Sequence, residues 1–160
     1  MLTTNERVIK AYDLFREGYN CAQSVVLAYE DVLPLDFDTL KAVSSAFGGG
    51  FARTRNVCGT MTGAGMVLGL MEKFSNDIAK DKTDIYKQTR MVTDKFIELN
   101  GTINCGELLK NVANISTDYI PQERNSEYYK TRPCAKFVVD AVKIIDNSDI
   151  FKEYIKSINK

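Results

Sequence analysis

Apolar positions recur with a helical period along almost the whole chain. Thr3 to Glu6 has the spacing of a capping box, and Val8, Tyr12 and Phe15 mark one face of the helix it opens before Gly18 stops it. Asn20 reads as the next N-cap, followed by an apolar stripe of Ala22, Val25, Val26, Tyr29 and Val32 that runs to Pro34. A third helix is expected from Asp36 or Asp38 through Leu40, Val43 and Phe47, ended by Gly48-Gly49-Gly50. Asn56 predicts the cap of a fourth, Val57 to Phe74. A fifth, near Lys82 to Leu99, would bring Ile85, Val92, Phe96 and Leu99 onto one face before Gly101.

Asn104 opens a short sixth helix with Leu108, Leu109 and Val112, and Pro133 suits the first turn of a seventh that carries Val138, Ala141, Val142 and Ile145. Between them, residues 114–130 are polar and contain Pro121, which predicts a long loop. A lysine-rich tail helix is expected within 147–160. No strand-like alternation of useful length interrupts the pattern, and no internal repeat does. The expected fold is therefore all-α, a compact single-domain bundle of about six to eight helices spanning 1–160.

Charge and composition narrow the partners. Lys plus Arg and Asp plus Glu both number 21, so the formal net charge is zero. That balance removes the electrostatic case for a nucleic acid or an anionic membrane surface. The weakly polar stretch from Val57 to Met71 is broken by glycines and is shorter than the roughly 20 residues a bilayer requires. Met1 to Arg16 is mixed in charge without an apolar core, unlike a signal peptide, and the expected location is cytoplasmic.

The chain contains no histidine. Ser-His and Cys-His nucleophiles, His-ligated zinc and His-ligated haem are all excluded. Chemistry falls to the four cysteines, Cys21, Cys58, Cys105 and Cys134. None forms a C-x-x-C pair, which argues against a zinc ribbon or a thioredoxin-type motif. Each stands at the predicted start of a helix, where free N–H groups favour thiolate over thiol. Each also lies on the apolar face of its helix. A single buried cysteine is ordinarily a small hydrophobe, but four at helix starts are expected to converge on one buried place. Gly59 and Gly63, then Gly65 and Gly69, are each four apart on the fourth helix, which predicts close packing of that helix on its neighbours. Arg53, Arg55 and Arg132 lie near Cys58 or Cys134 in sequence and are expected on the solvated surface, where they would still be close enough to bias a thiol. Tyr119, Tyr128 and Tyr129 read as loop packing.

The segments Leu14-Phe15-Arg16-Glu17-Gly18-Tyr19-Asn20-Cys21-Ala22-Gln23, Ala46-Phe47-Gly48-Gly49-Gly50 and Val57-Cys58-Gly59-Thr60-Met61-Thr62-Gly63-Ala64 carry a resemblance. Together with Leu68-Gly69-Leu70, Cys105 before Gly106-Glu107-Leu108-Leu109, and Cys134, they resemble the C_GCAxxG_C_C family, described as redox-active. The likeness covers roughly Val8 to Ile145. It departs at the second block, where the label reads Gly-Cys-Ala and this chain has Val57-Cys58-Gly59. A related module accompanies a haem domain in split-Soret-type cytochromes; this chain has no C-x-x-C-H, so the haem part is absent. The resemblance implies a redox cysteine site.

Three functions remain open. The first is a small electron-transfer protein in which Cys21, Cys58, Cys105 and Cys134 hold an iron–sulfur cluster, expected to be [2Fe–2S]. The second is a thiol–disulfide protein using two of them. The third is a Cys₄ structural zinc site or an interaction module. The expected partner is an electron donor or acceptor protein, and the pattern leaves room for a homodimer sharing the cysteine site.

Overall fold

The computed structural model describes residues 1–160. It is all-α, with helices α1 (Thr4–Arg16), α2 (Cys21–Leu27), α3 (Phe37–Ser44), α4 (Gly59–Met71), α5 (Ile78–Asn100), α6 (Cys105–Leu108), α7 (Ser126–Thr131), α8 (Cys134–Asn147) and α9 (Asp149–Ile158). None is long and apolar enough to cross a membrane.

Local chemistry sets the helix starts. The Thr3–Glu6 capping box opens α1, and a reciprocal Asn20–Gln23 box opens α2. Asp36, Asp77, Asn104, Asn125 and Ser148 each accept backbone N–H groups at the starts of α3, α5, α6, α7 and α9. The apolar faces then meet in one core of 28 buried residues, with Phe15, Tyr29, Leu68, Phe96 and Ile145 among its largest fully buried members. The most extensive pairings are α2 with α4 and α1 with α8.

Close approach explains the first pairing. A Cβ on Gly63 would sit 2.8 Å from the Ala22 carbonyl oxygen, and one on Gly59 would sit 2.8 Å from that of Phe47. Only glycine lets α4 lie directly on the backbone of α2. Gly65 and Gly69, by contrast, have no neighbour within 4 Å, so the second glycine pair plays no part in that contact.

Several boundaries differ from expectation. The stripe expected to stay helical as far as Pro34 leaves the helix after Leu27, though Ala28, Tyr29, Val32 and Leu33 remain buried in the turns that follow. Asn56 does not cap α4. Its carbonyl instead accepts from the Cys105 N–H (2.6 Å), and the Cys58 N–H donates to the Ile103 carbonyl (2.7 Å), which makes a single antiparallel bridge between Val57 and Asn104. The loop expected over 114–130 is shorter, because Asn125 caps α7 inside it. Leu99 is 61% exposed rather than buried with Phe96. Asn100 faces α8 in its place, with Lys136 donating to its amide oxygen (2.7 Å) and its amide N–H donating to Asp140 (3.2 Å).

A buried ionic group joins α1 to α8. Arg7, fully buried, pairs with Asp31 and lies 3.6 Å from Asp146, whose other neighbour is the Tyr29 hydroxyl at 2.8 Å.

Candidate redox site at four helix starts

Four helices begin around one point. Cys21, Cys105 and Cys134 are the first residues of α2, α6 and α8, and Cys58 stands at the N-cap of α4. All four sulfur-bearing residues line one small cavity of about 10 Å³, together with Gly49, Gly50, Gly59 and Phe137. That is room for about one water molecule. Three of the cysteines are buried, Cys21 is half-buried, and none is in a disulfide. Each of the four side chains named from the sequence therefore reaches the same place.

Two backbone devices hold them there. The single antiparallel bridge between Val57 and Asn104 ties the start of α4 to the start of α6, and thus Cys58 to Cys105. The second device is a left-handed turn. Gly49, Gly50, Phe51, Ala52 and Arg53 have φ of 62°, 73°, 70°, 47° and 65°, and Arg55 has 62°. For residues bearing a Cβ this conformation costs about 1–2 kcal/mol each, so the surroundings must hold it in place. Backbone bonds do so: the N–H groups of Arg53, Arg55 and Asn56 donate to the carbonyls of Gly48, Gly49 and Gly50. The turn lays Gly50 against Cys105 and brings Arg53 and Arg55 to the cysteines. A glycine triplet signals a break in sequence but not this run of left-handed residues after it.

The thiols are not equivalent. The neighbouring Cys21 thiol lowers the Cys134 pKa to about 7 against the penalty of burial, with help from Arg132, Arg124 and Arg55. The nearby Cys134 sulfur, together with burial, drives Cys21 upward. Burial pushes Cys58 up to about 12 despite its 3.1 Å contact with the Thr60 hydroxyl. It also raises Cys105, opposed by the Arg55 guanidinium 4.0 Å from its sulfur.

The arginines overturn the surface expectation. Arg55 and Arg132 are only 9% and 7% exposed, and Arg53 is half-buried. Arg124, which no sequence signal placed here, lies 4.6 Å from the Tyr128 ring, as does Arg132. All four face a cavity of about 320 Å³ that also exposes Cys21, Cys105 and Cys134. Tyr128 is buried beneath the two guanidiniums, whereas Tyr119 is largely exposed and Tyr129 packs on Phe15.

Four thiols, helix N-termini and buried guanidiniums meet here, with no carboxylate among the residues lining either cavity. No three thiol or carboxylate side chains are grouped to hold a metal ion. A sequence profile described as "Putative redox-active protein (C_GCAxxG_C_C)" matches residues 19–148, a span that contains all four cysteines and the left-handed turn. The chain belongs to this family. The chain is also similar to a protein of Archaeoglobus fulgidus described as uncharacterized. The two are 26% identical over 144 residues, covering 84% of this chain and 87% of the relative. No solved structure matches the chain.

Proposed function

We propose that this C_GCAxxG_C_C protein transfers electrons through a redox centre built on Cys21, Cys58, Cys105 and Cys134, holding an iron–sulfur cluster of the [2Fe–2S] type. The observation that carries this reading is the convergence of four cysteines from four separate helix starts on one small cavity. Each iron of such a cluster takes two thiolates, so the absence of a three-ligand group for a single ion does not count against it. When bound, the cluster supplies one-electron transfer at a potential set by charge, hydrogen bonds to sulfur and exposure. The chain's own part is to donate from Arg55 toward the Cys105 sulfur and to offset negative charge with Arg132 and the helix N-termini.

A second reading rests on Cys21 and Cys134 lining the same two cavities side by side. It makes these two a dithiol whose oxidation forms one S–S bond and releases two protons and two electrons to an acceptor protein.

Anaerobic purification with iron, sulfide and zinc analysis and a visible spectrum separates the two. Stoichiometric iron and sulfide with charge-transfer absorption, lost in Cys58→Ser, is the expected result. An iron-free chain that cannot be reconstituted overturns the cluster. If it becomes two hydrogens lighter on oxidation, with the bridge mapped to Cys21 and Cys134, the disulfide reading stands. Zinc at one per chain would overturn both.

A further inference from the structure

The 320 Å³ cavity beside the cysteines is electrostatically one-sided. Arg53, Arg55, Arg124 and Arg132 line it, and no aspartate or glutamate does. The nearest carboxylate in an ion pair with any of them is the exposed Asp118, 3.8 Å from Arg53. The other three guanidiniums have no carboxylate partner.

Their hydrogen bonds go to neutral acceptors. Arg53 donates to the Asp118 carbonyl (2.7 Å) and the Ser116 hydroxyl (2.8 Å), and Arg55 donates twice to the Ser116 carbonyl (3.0 and 2.8 Å). Arg124 donates to the carbonyls of Phe15 (3.3 Å) and Tyr19 (3.5 Å). Arg132 donates one N–H to the Gln122 amide oxygen, and its buried Nε has no acceptor at all.

Buried charges in proteins are ordinarily paired, because an uncompensated one loses its hydration without return. A buried donor without a partner carries a further cost of about 1–3 kcal/mol. Here four cations surround one space, and the most deeply buried of them keeps a free donor. The neutral acceptors fix the guanidiniums without neutralising them, and the rings of Tyr128 and Phe15 hold Arg124 and Arg132 flat. Fixed, planar, unneutralised guanidiniums are what bidentate recognition of a carboxylate or oxyanion requires. The volume matches a small molecule at the lower end of ligand pockets, about 300–1,000 Å³.

We propose that this cavity is a binding site for a small anionic molecule bearing a carboxylate or an inorganic oxyanion group, held by Arg132 and Arg53 next to Cys21, Cys105 and Cys134. The proposal concerns binding and stands whether the cysteines hold a cluster or form a disulfide.

The test titrates the full-length protein, as purified, with sodium sulfate or sodium succinate at constant ionic strength, with succinamide as the neutral control. Calorimetry and the thermal midpoint are followed together. Saturable one-to-one binding by either anion, absent for succinamide, is expected. Affinity should fall about tenfold or more in Arg132→Gln, as loss of a charge-assisted bond implies, and stay unchanged in Arg90→Gln on the exposed face of α5. Sulfate alone binding identifies an oxyanion site, and succinate alone identifies a carboxylate site. If Arg132→Gln does not fold, Arg53→Gln, half-buried at the same wall, carries the comparison. Absence of saturable binding, or undiminished binding in the folded variant, overturns the proposal. Iron content and thiol oxidation are not read in this experiment, so its failure is distinct from failure of the redox centre.

Discussion

Gly50 and Cys105 touch so closely that a Cβ on the glycine would lie 2.7 Å from that of the cysteine. The contact joins the left-handed turn to the start of α6 and fixes where the Cys105 sulfur points. Gly50→Ala meets both this contact and a φ of 73°, and should destabilise the chain by well over about 1 kcal/mol. Gly101→Ala isolates the backbone part, since Gly101 has φ of 86° but no neighbour within 4 Å, and should cost only about 1 kcal/mol. Urea denaturation of the two variants measures both. Equal losses would remove the steric role assigned to Gly50.

Glycines on one helix should respond in opposite directions. Gly63→Ala pushes a methyl to 2.8 Å from the Ala22 carbonyl, a backbone atom that cannot yield, and should cost about 1–3 kcal/mol. Gly65→Ala meets nothing and should stabilise α4 by about 0.5–1 kcal/mol. The difference in denaturation midpoint tests whether α2 and α4 meet where the structure has them.

Arg7 is fully buried between Asp31 and Asp146. Arg7→Ala leaves the buried Asp146 carboxylate uncompensated and should cost about 3–5 kcal/mol. Asp31→Asn should cost distinctly less, because that side chain is 20% exposed to water. Thermal unfolding of the pair would contradict the buried-pair account if Asp31→Asn proved the more damaging.

In the reduced, metal-free chain Cys134 should ionise first, with half-maximal iodoacetamide modification near pH 7. Its folded pKa lies below the ordinary thiol value of 9.0, so ionisation favours the folded state. That contribution is complete above about pH 9 and is lost as the pH falls through about 7. Cys21→Ala removes the neighbouring thiol and should move the modification midpoint upward. A midpoint unmoved by Cys21→Ala, read by mass spectrometry of the Cys134 peptide, would show that the two thiols do not share a proton.

Much of this was legible in the sequence, for a definite reason. Capping residues such as Thr3 and Asn20 act on backbone groups two or three residues away, and apolar stripes follow the helical period. Both are local rules, so the all-α class and the placing of all four cysteines at helix starts follow from the order of residues alone. Asn56 shows where such rules stop: its cap signal was sound, but pairing with residues 103–106 offered its backbone a better partner. The buried state of Arg7, Arg55 and Arg132 was equally out of reach, because each depends on groups brought from far along the chain. Arg124 and Tyr128 joined the cysteine cavity in the same way. The sequence alone determined which side chains were available for chemistry and which helix end each would occupy. Tertiary structure decided that the four ends meet, that a left-handed turn seals them, and that arginines rather than carboxylates surround them. Those outcomes depend on long-range packing and on the cost of burying charge, and neither has a period that one chain segment can display.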